Sequence, residues 1–411
     1  MSGTIGEAPA TGAATTGARL GVARRAAVEP FHVMDVLAAA GERQRSHGDL
    51  VNLSAGQPST PAPAAVRRAA AGALASEVLG YTESVGIPEL REAIAAHYRR
   101  RYGVPAAAED VVVTTGSSGG FLLGFLAAFD AGDRVALARP GYPCYRNILQ
   151  ALGCEVVELD CGPATRFQPT VEMLERLHTS VPVRGLILAS PANPTGTVLA
   201  PEELARLAAW CERAGVQLVS DEIYHGISYP GTPPTSCAWQ TSREAIVVNS
   251  FSKYFSMTGW RLGWLLVPPR LRRAVDRLTG NFTVCPPALP QVAAMAAFEP
   301  ASIAEVESHV ARYAVNRGLL LEGLPALGID RLAPADGAFY VYADVAHLTG
   351  DRTSEELVYQ VLHDVGVALA PGIDFDPVDG DRFVRLSFAG STDDITEALR
   401  RLKRWLAGHR A

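Results

Sequence analysis

Short apolar runs alternate with helical patterns through the middle of the chain. Val111-Val112-Val113 precedes a glycine-rich turn and the apolar stretch Phe121–Phe129. Val135-Ala136-Leu137 precedes Pro140 and a helix near Tyr145–Leu152. Val156–Leu159 and Leu186-Ile187-Leu188 follow, then a helix opened by Pro201-Glu202-Glu203. Next come Gln217-Leu218-Val219, Ile246-Val247-Val248 and Leu262–Val267. Runs that are apolar on both faces and interleaved with helices predict a mainly parallel sheet covered on both sides, an α/β fold. Leu262–Val267 follows its predecessor after only a loop, which suits an antiparallel member.

From about Pro286 the pattern changes. A long helix runs through Arg312 and Leu320, followed by strands at Phe339–Tyr342, Val367-Ala368-Leu369 and Phe383–Phe388. A helix starts at Ser354, and a terminal helix is capped by Thr392-Asp393-Asp394. This part reads as a smaller α/β domain. Met1 to about Ala27 is rich in Ala, Gly and Thr and predicts a flexible tail. It lacks the apolar stretch of a secretory signal, and Arg24-Arg25 is followed by no hydrophobic region.

Composition narrows the picture. The 411 residues exceed one simple core and suggest two domains. Hydrophobic residues make up 48% and charged residues 19%, an ordinary soluble mix. A net charge of -6 gives no electrostatic case for nucleic acid or an anionic membrane, and no apolar run is long enough to span a bilayer. The six cysteines are scattered without a Cys-x-x-Cys pair, which reads as reduced cytosolic thiols rather than a disulfide frame or zinc site.

The basic residues are unevenly chosen. Of 37 Lys plus Arg, only Lys253 and Lys403 are lysines. A lysine kept against such a bias is a candidate for chemistry that arginine cannot do, because only a primary amine condenses with an aldehyde. Lys403 sits in the basic helical run Arg400–Trp405 and reads as a solvated charge. Lys253, in Ser250-Phe251-Ser252-Lys253-Tyr254-Phe255-Ser256-Met257-Thr258-Gly259-Trp260-Arg261, points to the aldehyde cofactor pyridoxal 5'-phosphate.

That cofactor asks four things of a protein: an amine, an anion for the pyridinium nitrogen, a platform for the ring and a phosphate cradle. Candidates for each stand at predicted strand ends, where ligands of α/β sheets gather. Asp221 closes a strand and could face the ring nitrogen, or cap a helix; Tyr224, three residues on, could donate to the ring's phenolic oxygen. Asn193, in Asn193-Pro194-Thr195-Gly196, could reach the same oxygen or serve only the turn. Gly116, Ser117 and Ser118 lie between a strand and a helix, where N–H groups bind phosphate, without Walker or dinucleotide spacing. Ser250 and Arg261 bracket Lys253 and could reach that phosphate. Tyr142 could stack on the ring or plug a gap. Arg385, inside an apolar strand, needs a partner: a substrate carboxylate or an internal Asp or Glu. His225 and His97 read as structural histidines.

Together these residues resemble the class I/II pyridoxal-phosphate-dependent aminotransferases of fold type I. Ser-x-x-Lys, then Thr-Gly-x-Arg with the arginine eight residues after the lysine, is met by Ser250, Lys253, Thr258, Gly259 and Arg261. Tyr81, Gly86–Arg91, Gly116–Gly119, Tyr142, Asn193–Gly196, Asp221–Tyr224, Lys253 and Arg385 also follow the family's order, over roughly Pro30 to Leu406. The resemblance implies a mainly parallel seven-stranded sheet in a large domain at 61–299, with a small domain from 30–60 and 300–411 behind a tail at 1–29. It implies a homodimer in which Tyr81 reaches the phosphate of the neighbouring subunit; the cysteine pattern makes the expected setting cytoplasmic. Gly56, Asn193 and Arg385 would hold the substrate carboxylate. Lys253 would move a proton from Cα in a ping-pong exchange between an amino acid and a 2-oxo acid.

Dicarboxylate-specific relatives often carry a lysine in the glycine turn or an arginine shortly before a Pro-Pro. Here Ser118 and Gly280 stand at those places. A cavity without a fixed cation favours apolar side chains. The run Asn281–Pro287 is similar to actinobacterial enzymes of the valine–pyruvate or aspartate aminotransferase type. The expectation is therefore valine or alanine with pyruvate or a branched oxo acid. Aspartate with 2-oxoglutarate, and a carbon–sulfur β-lyase on the same residues, stay open. A cofactor-sensing transcription regulator is disfavoured, since only about 30 residues precede the match and they are not basic enough for DNA.

Overall fold

The computed structural model describes residues 21–409. Most of the expected tail at 1–29 lies outside the described residues; 21–29 are exposed, with one 3-10 turn at Arg24–Ala26. The strands are β1 (Val51–Asn52), β2 (Val111–Thr114), β3 (Arg134–Arg139), β4 (Glu155–Asp160), β5 (Gly185–Ala189), β6 (Gln217–Asp221), β7 (Ile246–Ser250), β8 (Gly263–Leu266), β9 (Tyr340–Asp344), β10 (Val367–Ala368), β11 (Ala370–Pro371) and β12 (Phe383–Ser387).

Seven of them form one sheet in the order β2-β8-β7-β6-β5-β3-β4. From β7 across to β4 every pairing is parallel. β8 runs antiparallel to both β7 and β2, as its short connection demands. The inner strands β5 to β8 are buried on both faces, which is why they read as unbroken apolar runs. Helices cover them. The helix Pro201–Ala214 begins with Pro at its first position and Glu202 and Glu203 in its first turn, and stops at left-handed Gly215.

β9, β11 and β12 form a second, antiparallel sheet, and β10 pairs in parallel with β1. Of the run Val367-Ala368-Leu369, expected as one strand, Val367 and Ala368 form β10, Leu369 lies between strands, and β11 begins at Ala370 beside β12. An apolar run does not say which neighbour takes its hydrogen bonds. The terminal helix Thr392–His409 departs from expectation at its cap. Ser391 Oγ accepts from the Asp394 N–H at 3.1 Å, whereas Thr392 Oγ1 donates to Asn316 Oδ1 at 2.8 Å.

The topology gathers the site. In a parallel sheet all C-terminal strand ends lie on one edge, so the segments after β3, β5, β6 and β7 emerge together. β2 is two antiparallel steps from β7 and so points the same way. The residues entering β8 come back to that edge, and Thr114, Gly263 and Ser250 sit side by side in register.

Candidate active site

Lys253 follows β7 and donates from Nζ to the Gly56 carbonyl at 2.6 Å. Its amine is pushed down to about 8, first by desolvation and then by the charge of Arg385, with Asp221 acting against them. A lysine so placed has an appreciable neutral fraction near neutrality, as a nucleophile or proton acceptor requires.

Asp221 ends β6 and is buried. It accepts a hydrogen bond from the Tyr145 hydroxyl, and from the Ile223 N–H at 3.0 Å. Burial raises its carboxyl to about 6, while those two donors and the charge of Lys253 favour the anion. The Tyr224 hydroxyl lies 2.7 Å from that of Tyr340, and the Lys253 amine is 5.8 Å from the Tyr224 ring centroid.

Arg385 lies on β12 and is 2% exposed. Nη1 donates to Asn193 Oδ1 and Nη2 to the Ser54 carbonyl, both at 2.8 Å. The rings of Tyr340 and Phe375 lie 4.3 and 4.7 Å from its guanidinium carbon. Its buried Nε has no hydrogen-bond partner among the described residues. Among the described residues no internal Asp or Glu of the kind sequence left open is paired with it: both bonded partners are neutral. A desolvated cation without an anion costs several kcal/mol, on the order of the penalty for any unpaired buried ion, so the position favours an anionic ligand. Because Arg385 can only donate, Asn193 must present its oxygen there, leaving its amide donors to face elsewhere. Gly56 sits beside this group; a Cβ on it would come within 2.6 Å of the Tyr340 hydroxyl.

An anion cradle lies at the other end of the edge. Gly116, at φ +72°, opens the helix Gly116–Ala128 directly after β2. A Cβ there would meet Arg261 Nη2 at 2.6 Å, and one on Gly263 would meet the Ser117 nitrogen at 2.8 Å. The absent side chains let a guanidinium and helix-start N–H groups converge, the chemistry of a phosphate site. Ser118 is exposed in that first turn. Ser250 Oγ is engaged with Ser252 Oγ at 2.8 Å and the Leu262 carbonyl at 3.2 Å. Tyr142 precedes the helix Pro143–Ala151, with its ring edge-on to Tyr145 at 5.4 Å. It lines a small cavity with Asn193, Ala189 and Gln168.

Not every expected residue joins this cluster. Tyr81 is 88% exposed on the single chain, near-neighbour in sequence to Thr82 and Ser84, which bond to Gln291 and Asp276. Lys403 is exposed. His97 and His225 are both pushed down, to about 4 and about 3, chiefly by burial.

Sequence reasoning passed over Tyr145, Gly263, Tyr340 and Phe375. Tyr145 had a signal: it stands three residues after Tyr142 at a helix start, and so on the same face. Gly263 is explained only by the backbone that packs on it. Tyr340 and Phe375 meet Arg385 through strand register and a loop, which no local pattern reports.

The description "Aminotransferase class I and II" belongs to the family model that matches residues 48–402. A valine–pyruvate aminotransferase of Mycobacterium tuberculosis is 66% identical over 387 residues, covering 94% of this chain and 98% of its own. An aspartate/prephenate aminotransferase of Thermus thermophilus is 37% identical over 94% of this chain and 99% of its own. Among solved structures, an aminotransferase from Mycobacterium tuberculosis superposes with a TM-score of 0.92 at 65% identity, over 94% of this chain and 99% of that one. The aspartate aminotransferase of Thermus thermophilus with maleate gives 0.87 at 36% identity, over 94% and 99%.

Proposed function

The chain belongs to the class I and II aminotransferases, and from that premise we propose that it transfers the amino group of valine or alanine to pyruvate or a branched 2-oxo acid, with pyridoxal 5'-phosphate as cofactor. The observation that carries the reading is Arg385, a buried guanidinium with neutral partners and a free Nε. Amino acids and 2-oxo acids share the α-carboxylate that would complete it.

The residues fit the cofactor. The glycine cradle at Gly116 and Gly263, with Arg261 and the N–H groups of Ser117 and Ser118, suits its phosphate. Asp221, kept anionic by Tyr145 and Ile223, suits a pyridinium N–H. Tyr224 and the amide donors of Asn193 suit the phenolic oxygen, and Tyr142 suits the ring face. When bound, pyridoxal phosphate supplies an electron-accepting ring for the Cα electron pair. Lys253 would hold the cofactor, and its Nζ is the group placed to take the Cα proton. Arg385 and Asn193 fix the carboxylate and thereby the orientation of that Cα–H bond. Gly56 leaves room for the substrate beside them and offers backbone to it.

We assign 61–299 to a large domain and 30–60 with 300–411 to a small one. The pairing of β1 with β10 supports joining the two small-domain segments. A homodimer in which Tyr81 reaches the partner's phosphate is supported by the exposure of Tyr81 on the single chain, and Phe282 (59%) and Val284 (51%) are exposed as well. Six free cysteines support a cytoplasmic setting. Ser118 and Gly280, where a cation would grip a distal carboxylate, support an apolar donor, in keeping with the name of the mycobacterial relative.

A half-reaction screen tests this. The cofactor-loaded protein is mixed with each amino acid in turn while the near-visible absorbance of the cofactor is followed. Valine and alanine should discharge it fastest. Much faster discharge by aspartate would overturn the donor assignment, and ammonia with pyruvate from cystathionine, without an acceptor, would favour the lyase.

A further inference from the structure

The loop 372–380 carries Phe375 onto Arg385 and is itself held from several sides. Its ends close on each other: the Asp376 N–H donates to the Gly372 carbonyl at 3.0 Å and the Gly380 N–H to the Asp376 carbonyl at 2.9 Å. A Cβ on Gly372 would lie 2.3 Å from the Gly380 oxygen, so the backbones meet with no room for side chains. Such a loop is compact and packed on itself.

The segment around the end of β3 grips it. Arg139 lies 3.5 Å from Asp376, 3.6 Å from Asp379 and 3.2 Å from Asp160 on β4. Two residues on, the Gly141 N–H donates to the Phe375 carbonyl at 2.9 Å. A Cβ on Gly141 would lie 2.5 Å from the Ala138 carbonyl, so the tight turn that presents this N–H requires glycine. Arg146 reaches the Asp374 carbonyl at 3.4 Å. Asp374 in turn accepts the His32 and Val33 N–H groups, at 2.8 and 2.6 Å, from the start of the helix His32–His47.

We infer that this loop is a clasp for the Arg385 guanidinium and that Arg139 is its positioning residue, controlling how tightly the α-carboxylate binds without touching it. A planar fork recognises a carboxylate only when its plane is fixed. Phe375 and Tyr340 are the rings that fix it here, and Tyr340 is already rooted in a strand. Phe375 depends on the loop, and Arg139 joins the loop's carboxylates to the strand edge that also carries Tyr142. The inference rests on the reading of Arg385 as the carboxylate site.

The test is steady-state kinetics of the cofactor-loaded R139Q and F375L proteins with valine, beside R385K. R139Q should raise KM by roughly tenfold, equivalent to about 1.4 kcal/mol, while kcat stays within about twofold. R139K should recover part of the loss, and F375L, which leaves the ion cluster intact, should show the same rise in KM. The double variant should be no worse than the poorer single one, since both act through one loop. If R139Q and F375L leave KM unchanged while R385K raises it, the clasp is wrong and the carboxylate reading survives. If R385K also leaves KM unchanged, the carboxylate reading itself fails. Equal loss of kcat and of cofactor absorbance in R139Q, without the KM shift, would mark a general folding role and overturn the clasp.

Discussion

Asp221 and Glu222 are adjacent, both carboxylates and both buried, yet they meet opposite surroundings. Asp221 faces the site, with a phenol and an N–H to hold its charge and Lys253 acting in the same sense. Glu222 faces inward. Oε1 accepts from the Ala238 N–H at 2.8 Å and Ser220 Oγ at 3.2 Å, while Oε2 has no hydrogen-bond partner among the described residues and lies 3.4 Å from His225 Nδ1. Burial raises Asp221 to about 6 but Glu222 to about 8. Near neutrality one is an anion ready for a ligand, and the other is an acid that adds no second charge beneath it. The cation side shows the same sorting: Arg385 bonds only neutral partners among the described residues, whereas His225 is driven to its neutral form by burial. In this pair of carboxylates the charge is kept where a ligand can meet it and removed where none can.

The hardest blow to this contrast would come at Lys253. K253A should lower turnover by at least roughly 10²–10⁴, the range for a positioned proton-transfer group alone. Borohydride treatment and peptide mapping of the cofactor-loaded wild type should place a pyridoxyl label on residue 253, and a label elsewhere would sink the assignment. In the cofactor-free protein, capture of the aldehyde should speed up with rising pH and level off above about 8, because only the neutral amine attacks.

Next in size is Arg385. Truncating one partner of a buried charge pair costs about 2–5 kcal/mol, so R385M should raise KM for an amino acid by about two orders of magnitude. The same variant should scarcely alter reaction with an amine that lacks the carboxylate. Equal losses on both substrates would mean that Arg385 serves the fold instead.

How far sequence could reach follows the same division. Lys253 was legible because lysine is scarce and its flanking Ser, Thr, Gly and Arg keep a fixed spacing. The strands were legible because burial on both faces writes a continuous apolar run. The antiparallel turn-back at β8 followed from loop length alone. What stayed hidden depends on register or on contact across long separations. Nothing near Arg385 announces Phe375 ten residues earlier in a loop, or Tyr340 on the neighbouring strand. The change of sheet after Leu369, and the cap supplied by Ser391 rather than Thr392, turn on which donor finds which acceptor. Glu222 is the sharpest case, since Asp221-Glu222 reads as two equivalent acids until their partners are known.

The smallest expected effect isolates that pair. If Glu222 is protonated in the fold at about 8 against an ordinary 4.5, folding must take up a proton between those values. Stability is then greatest below the unfolded value and declines as pH rises towards about 8, by about 1.4 kcal/mol per unit at most. The groups facing it do not reverse the sign. Asp221 raises it further, Cys237, Ser220 and the Ala238 N–H oppose the rise without cancelling it, and His225 is itself held neutral by burial with Arg101 and His97. E222Q keeps the size and the acceptor oxygen for Ala238 but cannot titrate. Its thermal unfolding midpoint should therefore fall less than that of the wild type between pH 5 and about 8, with turnover at neutral pH little changed. Parallel midpoint curves for the two proteins would mean that Glu222 is ionised in the fold, and the contrast with Asp221 would collapse.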